Sequence, residues 1–94
     1  MNISSQKARK LVDKGAKLVD VRTPVDYVKS TLPNATNIVL RNVSSLPAKF
    51  KKTDTLILFG TTDDDVDVKQ FEKYAEQLGF TSVYTLGAME NWKV

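Results

Sequence analysis

The chain contains no cysteine and no histidine. The first absence excludes thiol nucleophiles, disulfides and thiolate metal sites. The second excludes imidazole ligands and histidine acid–base chemistry. Long apolar runs are missing too. Nothing approaches the ~20 consecutive apolar residues of a membrane helix. The opening stretch MNISSQKARK lacks the apolar centre of a signal peptide. The expectation is a cytoplasmic protein with no membrane association and no cofactor. Glycine and proline are sparse, four and three, so each one punctuates the chain.

What is present is ordinary in amount. The 94 residues are 41% hydrophobic and 27% charged, which suits one hydrophobic core and one domain over residues 1–94. The net charge of +3 hides an asymmetry. Residues 1–52 carry eleven Lys/Arg against three acids, a surplus of +8, and residues 53–94 carry three Lys against eight acids, a surplus of −5. The first half offers a basic face and the central loop an acidic one. No aromatic residues interleave with the lysines. The basic residues therefore read as solvated helix surfaces and argue against a nucleic-acid partner.

The stretch TLILFGTTDDDVDV, residues 55–68, organises the rest. Thr55–Phe59 is an unbroken branched and aromatic run, the pattern of a strand buried on both faces. Gly60 breaks it. Val68, Phe71, Ala75 and Leu78 then recur at helix spacing, and Gly79 stands where a helix cap belongs. In open α/β sheets, ligands bind beyond the carboxyl ends of the strands, where loop amides and a helix N-terminus converge. Here that place holds glycine, two threonines and acids.

The remaining segments alternate in the same way. Ile3–Lys14 reads as a helix capped by Ser4 or Ser5 and ended by Gly15. Lys17–Val21 reads as a strand. Thr23-Pro24 opens a second helix, with Val25, Tyr27 and Val28 on its apolar side. Leu32–Ala35 is a turn and Asn37–Leu40 a strand. A brief helix runs from Ser44 to about Lys52. Val66–Leu78 is a helix, Thr81–Leu86 a strand, and Ala88–Trp92 a short terminal helix. The alternation predicts an α/β fold: a small single domain with a mainly parallel central sheet and helices on both faces.

The order of these segments resembles the rhodanese-like domain family. Asp20-Val21-Arg22, Thr23-Pro24 and Asp26 match its DVR-(T/S)-x-x-(E/D) stretch. Pro33, Ala35, Asn37 and Ile38 match (I/L)-P-x-A-x-N-(I/V). Gly79-Phe80, Val83-Tyr84, Leu86 and Met89–Trp92 match its G-(F/Y)-x-x-V-Y-x-L…G-x-x-x-W ending. The resemblance covers nearly the whole chain and implies a sheet of about five strands. It also implies sulfurtransferase chemistry. In that family a cysteine at the end of the central strand opens a loop, often C-x-x-G-x-(R/S), that forms a cradle of backbone amides. The cysteine takes sulfane sulfur from thiosulfate or a related donor and passes it, as a persulfide, to a thiophilic acceptor. Converging N–H groups favour the thiolate.

The chain departs from the family pattern at that cysteine. Aligned from the strand, the position falls on Gly60. Aligned back from Leu78-Gly79-Phe80 without a gap, it falls on Thr62. Neither residue forms a persulfide, so no catalytic residue is assigned. Asp63, Asp64 and Asp65 replace the glycine and basic or hydroxyl residues of the loop. Each carboxylate opposes an anionic donor by up to ~1 kcal/mol at contact range in bulk water. Asp20 reads as structural, accepting hydrogen bonds from loop amides. Arg22 packs against loop carbonyls or acids, with pairing to the loop aspartates as a further option. One loop aspartate is expected to cap the following helix, with others in its first turn.

The resulting expectation is an inactive rhodanese-like domain serving as a binding or regulatory module for a protein partner. Its surface would comprise Gly60, Thr61, Thr62, Asp63, Asp64, Asp65 and Asp67, with Arg22 and Thr31 beside them. One alternative is a cysteine-free enzyme that works with a partner's persulfide. Another is a cation-binding module on the aspartates, although the glycine and distal glutamate of a calcium loop are missing.

Overall fold

The structure is a computed structural model and describes residues 1–93. Four strands, Lys17–Asp20 (β1), Thr36–Asn37 (β2), Thr55–Gly60 (β3) and Ser82–Ala88 (β4), form one sheet in the order β2-β1-β3-β4. All neighbouring pairs are parallel. The helices are Ser5–Asp13 (α1), Pro24–Lys29 (α2), Leu46–Lys49 (α3) and Val66–Gln77 (α4), with short 3-10 turns at Leu40–Ser45 and Met89–Asn91.

Alternation along the buried strands sorts the core into two layers. Val19, Val21, Leu56 and Leu58 point to one face and pack with Leu46, Val68, Phe71 and Phe80. Leu18, Ile57 and Phe59 point to the other and pack with Ala8, Leu11 and Trp92. Helices therefore cover both faces of a mainly parallel α/β sheet, as the sequence predicts. Phe80, Tyr84 and Trp92 all pack against these cores. Gly79 ends α4 with φ of +100°, and the Phe80 amide reaches back to the Ala75 carbonyl at 3.2 Å. This closes the helix in the manner of a Schellman cap.

Three expectations are corrected. The sheet has four strands, not about five. The missing edge is reduced to a bridge between Asn2 and Thr85, with hydrogen bonds from the Ile3 amide to Thr85 and from the Thr85 amide to Met1. Helix α1 begins three residues after Asn2, at Ser5. The segment Asn37–Leu40 is extended only at its start. β2 is Thr36–Asn37, and the chain turns into a 3-10 helix from Leu40. Finally, Val25 and Val28 do not face the core: they are 64% and 80% exposed. Helix α2 has no buried residue and is held instead by Tyr27, whose hydroxyl donates to the Ala35 carbonyl at 3.0 Å.

The topology fixes where a site belongs. From β1 the chain moves outward to β2, then returns past β1 to β3 and continues to β4. The direction reverses between β1 and β3, so a crevice opens beyond their carboxyl ends.

Candidate functional site

Two carboxylates occupy that crevice, and each is surrounded by donors. Asp20 closes β1 and is fully buried. Its Oδ1 accepts the Arg22 amide at 2.9 Å and Arg22 Nε at 3.0 Å. Its Oδ2 accepts the other arm of the guanidinium and the Thr31 hydroxyl, both at 2.8 Å. The fork is bidentate, the strong form of this pair. Arg22 also donates to the Ser30 carbonyl and lies 6.0 Å from the Phe59 ring centroid. The hydrogen bond to Asp20 pushes the Arg22 pKa up, against a smaller opposing effect of burial. Asn37 completes the knot by donating to the carbonyls of Asp20 and Arg22 at 2.9 and 2.8 Å. Arg22 thus pairs with Asp20 and not with the loop aspartates.

The second carboxylate belongs to Asp65, the N-cap of α4. Its Oδ1 accepts the amides of Asp67 at 3.0 Å and Val68 at 3.4 Å, and its Oδ2 accepts the Thr61 amide at 3.0 Å. The loop from Gly60 to Asp65 therefore curls around a carboxylate of its own. Gly60 is buried directly beneath it. A Cβ built on Gly60 would lie 2.7 Å from Val68 Cγ2 and 2.8 Å from Asp65 Cγ, both inside any real contact distance.

The other loop acids diverge. Asp63 turns away toward β4, where Oδ1 accepts from the Asn91 side chain and from the Ala88 amide at 3.3 Å. These two bonds, Asn91 first, hold the Asp63 pKa below its usual value. Gly87 makes room for the contact. It has φ of +83°, and an added Cβ would fall 2.9 Å from Asp63 Oδ1. The β3–β4 register slips at this level, between Leu58 and Phe59. Asp64 faces solvent at 95% exposure, 3.8 Å from Lys69. Among the described residues no three acidic side chains are grouped to hold a metal ion. The cation-binding alternative is therefore not favoured: the aspartates share a loop but not a focus.

Between α2 and the loop lies a pocket of about 400 Å³, lined among others by Arg22, Asp26, Arg41, Thr61, Asp65 and Asp67. It brings together Arg22, Thr61, Asp65 and Asp67 from the sequence-derived set. It leaves out Gly60, Thr62, Asp63 and Asp64, and Thr31 is turned inward onto Asp20. Sequence reasoning missed Arg41 and Asn91. Arg41 follows the apolar run Asn37–Leu40 directly, a position that would have placed it beside a strand end. Nothing local marks Asn91 as the partner of a residue 28 positions earlier.

The fold has counterparts among known proteins. The family model for the rhodanese-like domain matches residues 4–94, and the chain belongs to the rhodanese-like domain family, a family of sulfurtransferases. Among solved structures, the human single-domain sulfurtransferase TSTD1 superposes with a TM-score of 0.83 at 28% identity, covering 97% of this chain and 93% of that one. A rhodanese-like domain protein from Staphylococcus aureus gives 0.80 at 21% identity, over 98% and 90% of the two chains. A rhodanese with anions from E. coli gives 0.70 at 24% identity, over 82% and 91%. The last two share the fold. No curated protein sequence matches significantly. Among the described residues no helix is long and apolar enough to cross a membrane.

Proposed function

We propose that this rhodanese-like domain does not transfer sulfur and acts as a binding or regulatory module. The observation that carries the reading is the Asp65 carboxylate held by three amides above Gly60. A persulfide enzyme needs two things there: a thiolate, and N–H groups free to stabilise anionic sulfur species. The chain has no cysteine, and Asp65 already occupies the converging donors with a negative charge. An incoming thiosulfate would have to displace a covalently tethered anion that is present at high effective concentration.

The binding surface is assigned to the loop Gly60–Asp67 with Arg22, Arg41 and the first turn of α2. Asp64, Asp67 and Arg41 are exposed there, and α2 adds the solvent-facing pair Val25 and Val28. Exposed charges of both signs beside isolated apolar side chains suit a protein partner better than a small anion.

The test combines an amide NMR titration with a thiosulfate–cyanide assay. With thiosulfate, residues 59–68 are expected to stay unshifted at millimolar concentration, and no thiocyanate should form. Ca²⁺ should be equally silent. Thiocyanate production, or loop shifts with thiosulfate, would sink the inactive reading. Loop shifts with Ca²⁺ alone would restore the cation site.

A further inference from the structure

The opposite end of the sheet carries a second and more open feature. A groove of about 760 Å³ runs along the amino-terminal ends of the strands. Its lining combines Lys17, the first residue of β1, with Lys49–Lys52, the end of α3 and the residues after it. Four lysines thus line one depression. None of them takes part in an ion pair among the described residues. The one carboxylate in the lining, Asp54, is engaged with backbone: Oδ2 accepts the Lys51 amide at 2.9 Å, and the Asp54 amide returns a bond to the Lys51 carbonyl at 2.9 Å. Lys52 lies along Gly79, with its Nζ 3.5 Å from where a Cβ would stand. That places its ammonium near the carboxyl end of α4, whose partial negative charge offsets part of its own. Lys17, Lys49 and Lys51 keep theirs for solvent.

We propose that this groove docks an acidic polypeptide segment, with two or more carboxylates flanking an apolar residue. Charge complementarity sets the sign of the partner. The lysines sit on two separate stretches of chain across an opening far larger than a small anion, so they fit an extended ligand. Pro47, Ala48 and Phe50 supply apolar lining for a side chain between the acids. Nucleic acid fits less well. The groove lining has no arginine for bidentate phosphate or base contacts. The inference does not rest on the inactive-loop reading, because the two sites lie at opposite ends of the strands.

The test is an amide NMR titration at low salt. The probes are an octapeptide of glutamates with a central leucine, and an oligothymidylate of the same length. The peptide should shift Lys17, Thr36 and residues 49–54, leave residues 60–68 unmoved, and bind more weakly as salt rises. K49E/K51E should weaken it by about tenfold, while K10E/K14E at the carboxyl end of α1 should change affinity much less. Both pairs are exposed, so an unchanged amide spectrum away from the substitutions checks the fold. Should a charge-reversed pair fail to fold, K49Q/K51Q takes its place, and the wild-type shift map still decides the location. The proposal fails if the peptide moves no groove residue at millimolar concentration. It also fails if K10E/K14E weakens binding as much as K49E/K51E, if the oligothymidylate binds the same residues more tightly, or if the shifts reflect self-association.

Discussion

Asp20 closes β1 and Asp65 caps α4 after the loop that follows β3, and they use one device for opposite ends. Each is a carboxylate set in a ring of N–H donors. Asp20 is sealed from solvent and answered by a full positive charge in Arg22, by the Thr31 hydroxyl and by a backbone amide. Asp65 is half-buried and answered by three amides alone. The first arrangement ties β1 to the segments before β2 and is architectural. The second closes the Gly60–Asp65 loop on itself and caps α4. Partner type and depth of burial, not the residue type, separate the two anions.

Removing the deeper anion gives the largest expected effect. Asp20→Ala strands a guanidinium that is itself only 10% exposed, a loss of about 3–5 kcal/mol for a broken buried pair. Urea denaturation should show it. A loss below about 1 kcal/mol would mean that Arg22 simply swings to solvent, as in a surface pair. Gly60→Cys comes next. The new Cβ must push aside Asp65 and Val68, so it should cost about 1–3 kcal/mol as an overpacked site does. It should not generate sulfur transfer, and neither should Thr62→Cys. Activity from either single change would show that Asp65 is no barrier.

Asp65→Ala is smaller, about 0.5–2 kcal/mol for a lost N-cap. Its signature is faster hydrogen exchange at the amides of Thr61, Asp67 and Val68. Protection retained there would mean that the carboxylate does not organise the loop. The smallest effect is electrostatic. Asn91 and Ala88 depress the Asp63 pKa in the folded state. The stabilisation from Asp63 is therefore present above the unfolded carboxylate value and is lost as pH falls through the lower folded one. Melting temperature should decline on acidification, and Asp63→Asn should flatten part of that decline. An identical acid profile for the variant would remove Asp63 from the account.

How far the sequence discloses this molecule depends on the range of the interaction that decides each feature. Strand β3 and helix α4 are legible because their periodicities are internal: Thr55–Phe59 is apolar throughout, and Val68, Phe71 and Ala75 repeat on one helical face. Asp65 as a cap is legible because a cap bonds two and three residues ahead. The outward face of α2 is not. Val25 and Val28 have the right spacing for a core stripe, but a six-residue helix can hang on one tyrosine, and the contact to Ala35 is invisible locally. The divergence of Asp63 from Asp65 is likewise set by Asn91, Ala88 and the register slip of β4, all more than twenty residues away. The acidic loop therefore looks like a cluster in sequence and is none in space.

The fit between Gly60 and Asp65 has a consequence for routes through sequence space. On the proposed reading, sulfur chemistry here would need both a cysteine, at Gly60 for instance, and amides released by Asp65. Installing the cysteine first drives it into Val68 and the carboxylate. Removing the carboxylate first forfeits a helix cap and gains no nucleophile. Each step alone is a descent, and only the pair restores a thiolate facing free amides, which is strong coupling between two touching positions. On the proposed reading, the loop stands two coupled substitutions away from a thiolate facing free amides.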